Sequence, residues 1–301
     1  MPFPSDHFTI VEAAPGVFEL QAGDTGACVG NAAVVDLGDR TVVVDTFMTL
    51  EAADDLVDAV AALTGRTAFL AVNTHWHGDH VGGNQHFAGV PIAATRRTLE
   101  LIVADAPADA AAYAAEIDGY LGWARRLADE ATSDAERQRA ARALGTAEAL
   151  LRGRDRFRLT LPSLLIEERC EVAGARSAVL LTYGGGHTES DVFVHVPDAG
   201  AVVCGDLLWV AGHPRTNDGD PAAWSEILGR IGVLGATTFV PGHGPPGGPD
   251  EVAAMARYLE VVDAAVRSGA DPEEAPLPEG SEGWEGRPRF ADGIRALQTR
   301  G

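Results

Sequence analysis

Read for the alternation of apolar and polar positions, the first third of the chain breaks into short runs closed by turns. Strands are predicted at about 17–20 (VFEL), 32–37 (AAVVDL) and 41–45 (TVVVD), then a helix over 52–63, then a strand at 69–73 (FLAVN). From 96 to 158 the pattern changes. Ala, Arg, Glu and Leu dominate and β-branched runs vanish, which predicts helices: one over about 108–131, another opening at Ser133. The sequence SDAE from Ser133 to Glu136 fits a capping box, in which each side chain bonds the other residue's backbone amide. Strands return from 164 (SLLIEERCEV, SAVLLTY, DVFVHV, AVVCGD), followed by helices near 222–231 and 250–266. The second half repeats the grammar of the first. Two strand-plus-helix halves around a helical insertion predict an α/β fold with two sheets face to face and helices outside. Pro, Gly and Glu crowd 270–284, which reads as an exposed linker to a short terminal helix. The expected organisation is one domain over 1–301, with an insertion at about 96–158 and a tail at about 270–301.

Composition narrows the function. With 301 residues, 46% of them hydrophobic, the chain can bury one large core or two sharing an interface. The net charge of −21 argues against a nucleic-acid partner, because phosphate backbones are bound by clustered cations. All 23 basic residues are Arg, so neither Schiff-base chemistry nor an ammonium clamp is available. Cys28, Cys170 and Cys204 are odd in number and widely spaced, against a disulfide framework or a structural zinc site. No apolar run reaches membrane-spanning length, and MPFPSDHF lacks the basic start and apolar stretch of a secretory signal, so a cytoplasmic protein without a membrane partner is expected.

The densest chemistry is HWHGDH, from His75 to His80, directly after an apolar strand. Imidazoles at i and i+2 on extended backbone point the same way, while Asp79 and His80 begin the next turn and can face a second ion. Three more candidate ligands each follow an apolar run: His187 in TYGGGHTESD, Asp206 in VVCGDLL and His243 in FVPGHGPP. Cys204, two residues before Asp206, would point the same way on a regular strand. His7, His86 and His195 lie outside the pattern and read as structural or surface residues.

From GNAAVVDLGDRTVVVDT to PGHGPP the chain resembles the metallo-β-lactamase superfamily. That resemblance implies an αββα sandwich of two mixed sheets flanked by helices. It assigns His75, His77 and His187 to a first metal and Asp79, His80 and His243 to a second, with Asp206 bridging. Two zinc ions are the expected cofactor, iron or manganese the alternatives, since His and Asp ligation does not choose among them. Asp45, closing TVVVD, resembles the carboxylate that orients a histidine ligand. The implied chemistry is hydrolysis of an ester, lactone, thioester or amide in a small molecule. Two divalent ions against two aspartates leave a cationic site that holds a bridging hydroxide as nucleophile at neutral pH, and Asp79 can also orient it.

The segment CGDLLWVAGHPRTNDGDPAAW is similar to a loop of one zinc β-lactamase subclass. Asn217 falls at its oxyanion-side Asn, and Asp220 and Trp224 reproduce its later spacing. Asp206 stands in place of its Cys and Trp209 in place of its Lys, and His80 is an added ligand. β-Lactam hydrolysis therefore ranks second, with Arg215 or His213 as substitute substrate-facing groups. A mononuclear iron oxygenase acting on persulfides ranks third, because the seven-residue set is complete. The insertion is a candidate lid or homodimer surface, with Tyr113, Tyr120 and Trp123 as substrate contacts or core. Trp76 and Trp209, beside ligands in sequence, are candidate pocket walls.

Overall fold

The computed structural model describes residues 3–300. Seven strands form one sheet in chain order: β1 (Phe8–Ala14), β2 (Val17–Ala22), β3 (Ala32–Asp36), β4 (Thr41–Val44), β5 (Leu70–Val72), β6 (Ile92–Thr95) and β7 (Leu164–Ile166). Five form the other: β8 (Arg169–Ala173), β9 (Ser177–Thr182), β10 (Val192–Val196), β11 (Ala201–Trp209) and β12 (Thr238–His243), again in sequential order. Both are mixed. The first is antiparallel through β4 and parallel from β4 to β7, and the second is antiparallel except for the parallel pair β11 and β12.

Period-two alternation explains why the sheets stack. Val42 and Val44 of β4 join Ala33 and Val35 of β3 in a core that also holds Val192, Val194 and Val196 of β10 and Val203 of β11. The alternate positions Val34 and Val43 turn outward onto helix α1 (Leu50–Thr64) through Leu56 and Val60. On the far side Phe193 and Val202 turn outward too. They meet two helices introduced in turn below, through Trp224, Ile227, Met255 and Leu259. After a single-turn helix, α2 (Gly78–Val81), the insertion comprises α3 (Arg96–Asp105), α4 (Ala110–Glu130) and α5 (Asp134–Gly153). It leaves β6 and returns to the adjacent β7. The outer helices of the second sheet are α6 (Pro221–Gly232) and α7 (Pro249–Ser268), and α8 (Pro288–Arg300) closes the chain. The result is the two-sheet, helix-flanked α/β architecture that the sequence predicts. The capping box at Ser133 and Glu136 is present as read. No helix among the described residues is long and apolar enough to cross a membrane.

Three local expectations change. The run SLLIEERCEV is two strands in different sheets, because Glu167 and Glu168 carry the chain from one to the other. β1 and β6 carry too little alternation to read in advance: β1 is half-exposed along most of its length, and β6 is four small or β-branched buried residues. The tail is not an exposed linker. Ala275, Leu277 and Trp284 pack with Tyr258, Val262, Phe290 and Ile294 in a small core of their own.

Trp224 is fully buried, and its indole N–H donates to the Leu207 carbonyl at 2.9 Å. Trp224→Ala is expected to lower unfolding stability by about 3–5 kcal/mol in urea titration; a loss below about 1 kcal/mol would show that this side chain does not anchor α6.

Candidate metal centre

All seven candidate ligands converge at one edge of the sandwich. His75 and His77 follow β5, Asp79 and His80 lie on α2, His187 sits in the β9–β10 loop, and Asp206 and His243 lie on β11 and β12. The edges are stitched where the Val192 amide donates to the Thr74 carbonyl at 2.7 Å. Strand regularity fails where a ligand must turn inward. Gly205 has φ +54 and interrupts the β11–β12 register, and a Cβ there would come within 2.6 Å of the Thr74 hydroxyl. This break separates Cys204 from Asp206: the thiol points into the helix-side core with Leu207 and Leu208, and burial pushes its pKa up. The expectation that the two side chains share a direction is thereby corrected.

The donors form two groups, His75, His77, His187 and Asp206 in one, Asp79, His80 and His243 in the other, with ligand atoms in each group within 4.8 Å of one another. Asp206 is the common element. One of its oxygens lies 3.2 Å from His187 Nε2 and 3.3 Å from His243 Nε2, and the other lies 3.1 Å from His80 Nε2. His77 Nδ1 faces His75 Nε2 at 3.1 Å and His187 Nε2 at 3.0 Å. Asp79 completes the second group, 3.5 Å from His80 Nε2 and 3.4 Å from His243 Nε2.

Three imidazoles have their outward nitrogen held. His80 Nδ1 meets Asp45 at 2.8 Å, His75 Nδ1 meets the Thr74 hydroxyl at 2.9 Å, and His77 Nε2 meets Asp218 at 3.1 Å. Asp45 also accepts from the Thr74 amide and hydroxyl, both at 2.8 Å. Such contacts fix ring orientation and tautomer. The remaining faces are closed by packing. Trp209 stacks on His243 with centroids 3.7 Å apart, and Trp76 lies edge-on to His77 at 4.5 Å. Gly30 is so close that a Cβ would sit 2.7 Å from His80 Nε2.

Electrostatics divides the imidazoles. Burial, reinforced by His80, drives His75 well below the ordinary imidazole range, and burial brings His187 down to about 3, so both present a bare lone pair. Burial also opposes charge on His80 and His243, yet Asp206 and Asp79 hold both above the ordinary value, with Asp45 adding to His80. Burial opposes charge on the buried Asp206 and the half-buried Asp79, yet the surrounding imidazoles keep both well below the carboxylate range. This donor set fits divalent metal binding. It offers only imidazole nitrogens and carboxylate oxygens, and the buried His80 Nε2 and Asp206 Oδ1 face one another without making a hydrogen bond. Protons on His80 and His243 occupy the side a cation would take, so metal binding must release them.

Other sequence-marked residues separate. Asn217 is half-buried in the loop before α6 and has no hydrogen bond to the seven; its neighbour Asp218 makes that contact. Asp220 caps α6 by accepting from the Ala222 and Ala223 amides. His213 cannot face a substrate. It is fully buried beside Trp284 and Phe290, with Nδ1 3.0 Å from the Tyr258 hydroxyl. Arg215 is exposed. Tyr113 stacks on Phe157 at 4.4 Å and, with Trp76 and Gly78, lines a cavity of about 200 Å³ beneath the insertion. Asp218 and Thr74 belong to no motif in the sequence; for Asp218 the available signal is a second carboxylate in the loop TNDGD, between Asn217 and Asp220.

The chain belongs to the metallo-beta-lactamase superfamily, whose family model matches residues 25–243. No curated protein matches the sequence. Among solved structures, a metallo-beta-lactamase from Pontibacter korlensis is 17% identical with a TM-score of 0.59, covering 84% of this chain and 99% of that one. The metallo-beta-lactamase FIM-1 from Pseudomonas aeruginosa, in its mono-zinc form, is 18% identical with a TM-score of 0.59, covering 85% and 97%. A metallo beta lactamase from Hirschia baltica is 17% identical with a TM-score of 0.58, covering 84% and 98%. At these identities the likeness is one of fold.

Two predictions follow from the supports around the donors. Asp45→Asn, which keeps the shape but weakens the hold on His80, is expected to lower metal affinity about 10- to 100-fold in chelator competition; unchanged affinity would remove Asp45 from this role. Glu19 is fully buried and burial pushes its carboxyl up to about 8, although the Asn31 amide donates to it. Asn31 also bonds the carbonyls of Pro241, Gly242 and Gly244 around His243. The folded chain therefore keeps a proton that the unfolded chain has already lost, so stability falls as pH rises from about 4.5 to about 8. Glu19→Gln should flatten that fall in melting curves taken across the window.

Proposed function

We propose that the protein is a binuclear metal-dependent hydrolase that cleaves an ester, lactone, thioester or amide bond in a small molecule. The observation that carries this reading is the inward convergence of five imidazoles and two carboxylates into two groups that share Asp206. His75, His77 and His187 would hold one cation and Asp79, His80 and His243 the other, with Asp206 between them. Zinc is the expected metal, iron or manganese the alternatives. Bound there, two divalent ions supply Lewis acidity and draw the pKa of water from about 15.7 to about 7.

The chain's own residues prepare that site. Asp206 and Asp79 offset part of the metal charge, and Asp79 stands at its mouth with a side chain 17% exposed, where it can orient a water. Asp45, Thr74 and Asp218 hold the outward nitrogens of three imidazoles, which turns their inward nitrogens toward the centre. Trp209 and Trp76 exclude water from the flanks. Asn217, on the loop carrying Asp218, is proposed as a donor to the carbonyl oxygen of the substrate. β-Lactam hydrolysis is the second reading, supported by the solved structures that share the fold and by the loop containing Asn217, Asp220 and Trp224. No serine or cysteine nucleophile is required.

Elemental analysis of the purified protein, with lactone, thioester, aryl ester and β-lactam substrates assayed with and without chelator, tests this reading. About two zinc ions per chain and chelator-sensitive cleavage are expected. About one iron per chain, no cleavage and O₂ uptake with a persulfide would replace it with the oxygenase. His77→Ala and Asp206→Ala should each abolish hydrolysis and lower metal content while keeping the far-ultraviolet circular dichroism; full activity in either would overturn the ligand assignment.

A further inference from the structure

The cavity of about 200 Å³ beneath the insertion runs up to the segment that carries the metal ligands. Gly78 lines it, between His77 and Asp79, which belong to different donor groups. Trp76 lines it too, with the indole that lies edge-on to His77 at 4.5 Å. Neither conformation nor crowding demands glycine at 78: the backbone is helical, and a Cβ would only touch the Met48 thioether at 3.6 Å. As an exposed glycine it puts no side chain between its two donor neighbours and the cavity.

Met48, Val81, Ile102, Leu150 and Leu159 supply apolar sides. Most polar side chains of the wall are bonded within the protein or exposed. Asn84 donates to the Asn73 side chain at 2.9 Å and to the Thr160 carbonyl at 3.2 Å, and it accepts from Thr46 and Asn73. Arg158 donates to the carbonyls of Asp155 and Phe157, at 3.1 and 2.7 Å, and Asp105 and Glu116 are exposed. The Trp76 indole and the Tyr113 hydroxyl remain, and burial, then Glu116, pushes that hydroxyl up to about 12, so it stays neutral. What the cavity offers a ligand is therefore burial of apolar surface, which favours a group without charge.

Size and a partition define the occupant further. An apolar cavity of about 150 Å³ holds a benzene ring, whereas a whole drug-sized ligand needs about 300 Å³ or more. The space fits one substituent of a substrate. Tyr113 of α4 and Phe157, stacked with centroids 4.4 Å apart and rings 25° from parallel, line it on one side. The same pair lines a second depression of about 520 Å³, reaching Asp109 and Arg154, whose lining includes neither Trp76 nor Gly78. The stack is thus a wall between an outer space and the one beside the donors. The inner space is also held in place against the ligands. Helix α3, which supplies Ile102, is tied to the His187 loop where Thr98 Oγ1 donates to the Ser190 carbonyl at 3.0 Å and the Thr95 and Ser190 hydroxyls meet at 2.7 Å.

We propose that this cavity receives an uncharged aryl or unbranched alkyl group of the substrate, and that the wall of Tyr113 and Phe157 limits how long that group can be. The inference rests on the hydrolase reading for the bond that is cleaved but not for the pocket.

The test follows kcat/KM along 4-nitrophenyl esters from acetate to octanoate, which share a leaving group, and along alkyl acetates from methyl to octyl, which share an acyl group. Burial of each methylene is expected to raise kcat/KM about fourfold in one of the series, up to a length at which the rise stops. Tyr113→Ala, which joins the two spaces, should move that stop to longer chains. Leu150→Trp, which fills the inner space, should move it to shorter ones and lower kcat/KM for the longest ester about 10-fold or more. Val103→Ala, on the exposed side of α3, should leave the profile as in the wild type. Rates indifferent to chain length in both series overturn the pocket, and a stop that stays in place in Tyr113→Ala overturns the limiting wall. Binding is read apart from turnover, by the fluorescence of 1-aminonaphthalene with the metal-free protein. Binding to the wild type that Leu150→Trp abolishes supports the pocket; no binding to the wild type overturns it. If Leu150→Trp loses its circular dichroism, Tyr113→Ala and the wild-type binding decide. A protein that cleaves no ester yet binds the dye in this way keeps the pocket and loses the hydrolase reading. Ester cleavage with a flat profile does the reverse.

Discussion

Everything at the centre depends on keeping the Asp206 carboxylate charged where water cannot reach it. Its side chain is 3% exposed, and an isolated carboxylate in such a place would take up a proton. It remains an anion because His187, His80 and His243 stand within 3.1–3.3 Å and His75 at 3.9 Å. That requirement propagates outward. His80 must be held by Asp45, Asp45 by Thr74, and Thr74 must meet the flattened backbone of Gly205 from the opposite sheet. The two sheets are thus registered against each other by a charge as well as by valines.

Backbone strain gathers around the same place. Among the described residues, the non-glycine residues with positive φ are Val29, Asp45, Phe47 and Ala211. Val29 precedes Gly30 against His80, Asp45 and Phe47 follow β4, and Ala211 begins the loop that the tail docks on. Valine in this conformation is a rare choice, tolerable only where surroundings over-determine the chain. Rigid sheets on both sides provide that determination, which is why a loop-built site can be held to hydrogen-bond distances.

The layers and the donors were legible because both obey short-range rules. Valine alternation in TVVVD and DVFVHV fixes which face each strand buries, and HWHGDH puts four donors within six residues. What escaped was whatever depends on contact between distant segments. The glycine in VVCGDLL permits the bulge that turns Cys204 away from Asp206, but the reason for it is Thr74, just past the end of β5. His213 falls in a loop similar to one that grips substrate in a zinc β-lactamase subclass, yet Tyr258, Trp284 and Phe290 enclose it. The tail looked like a linker by composition, and its few apolar residues are spaced to find α7 rather than each other.

The insertion leaves β6 and re-enters at β7, and those two strands are neighbours in parallel register, Ala93 beside Leu164. Its three helices therefore form a closed excursion from the sheet. Their length and sequence can drift without shifting the register of any strand that carries a donor. The donor-bearing strand ends, held in place by mutual charge, and the excursion beside them can therefore change at different rates in this chain.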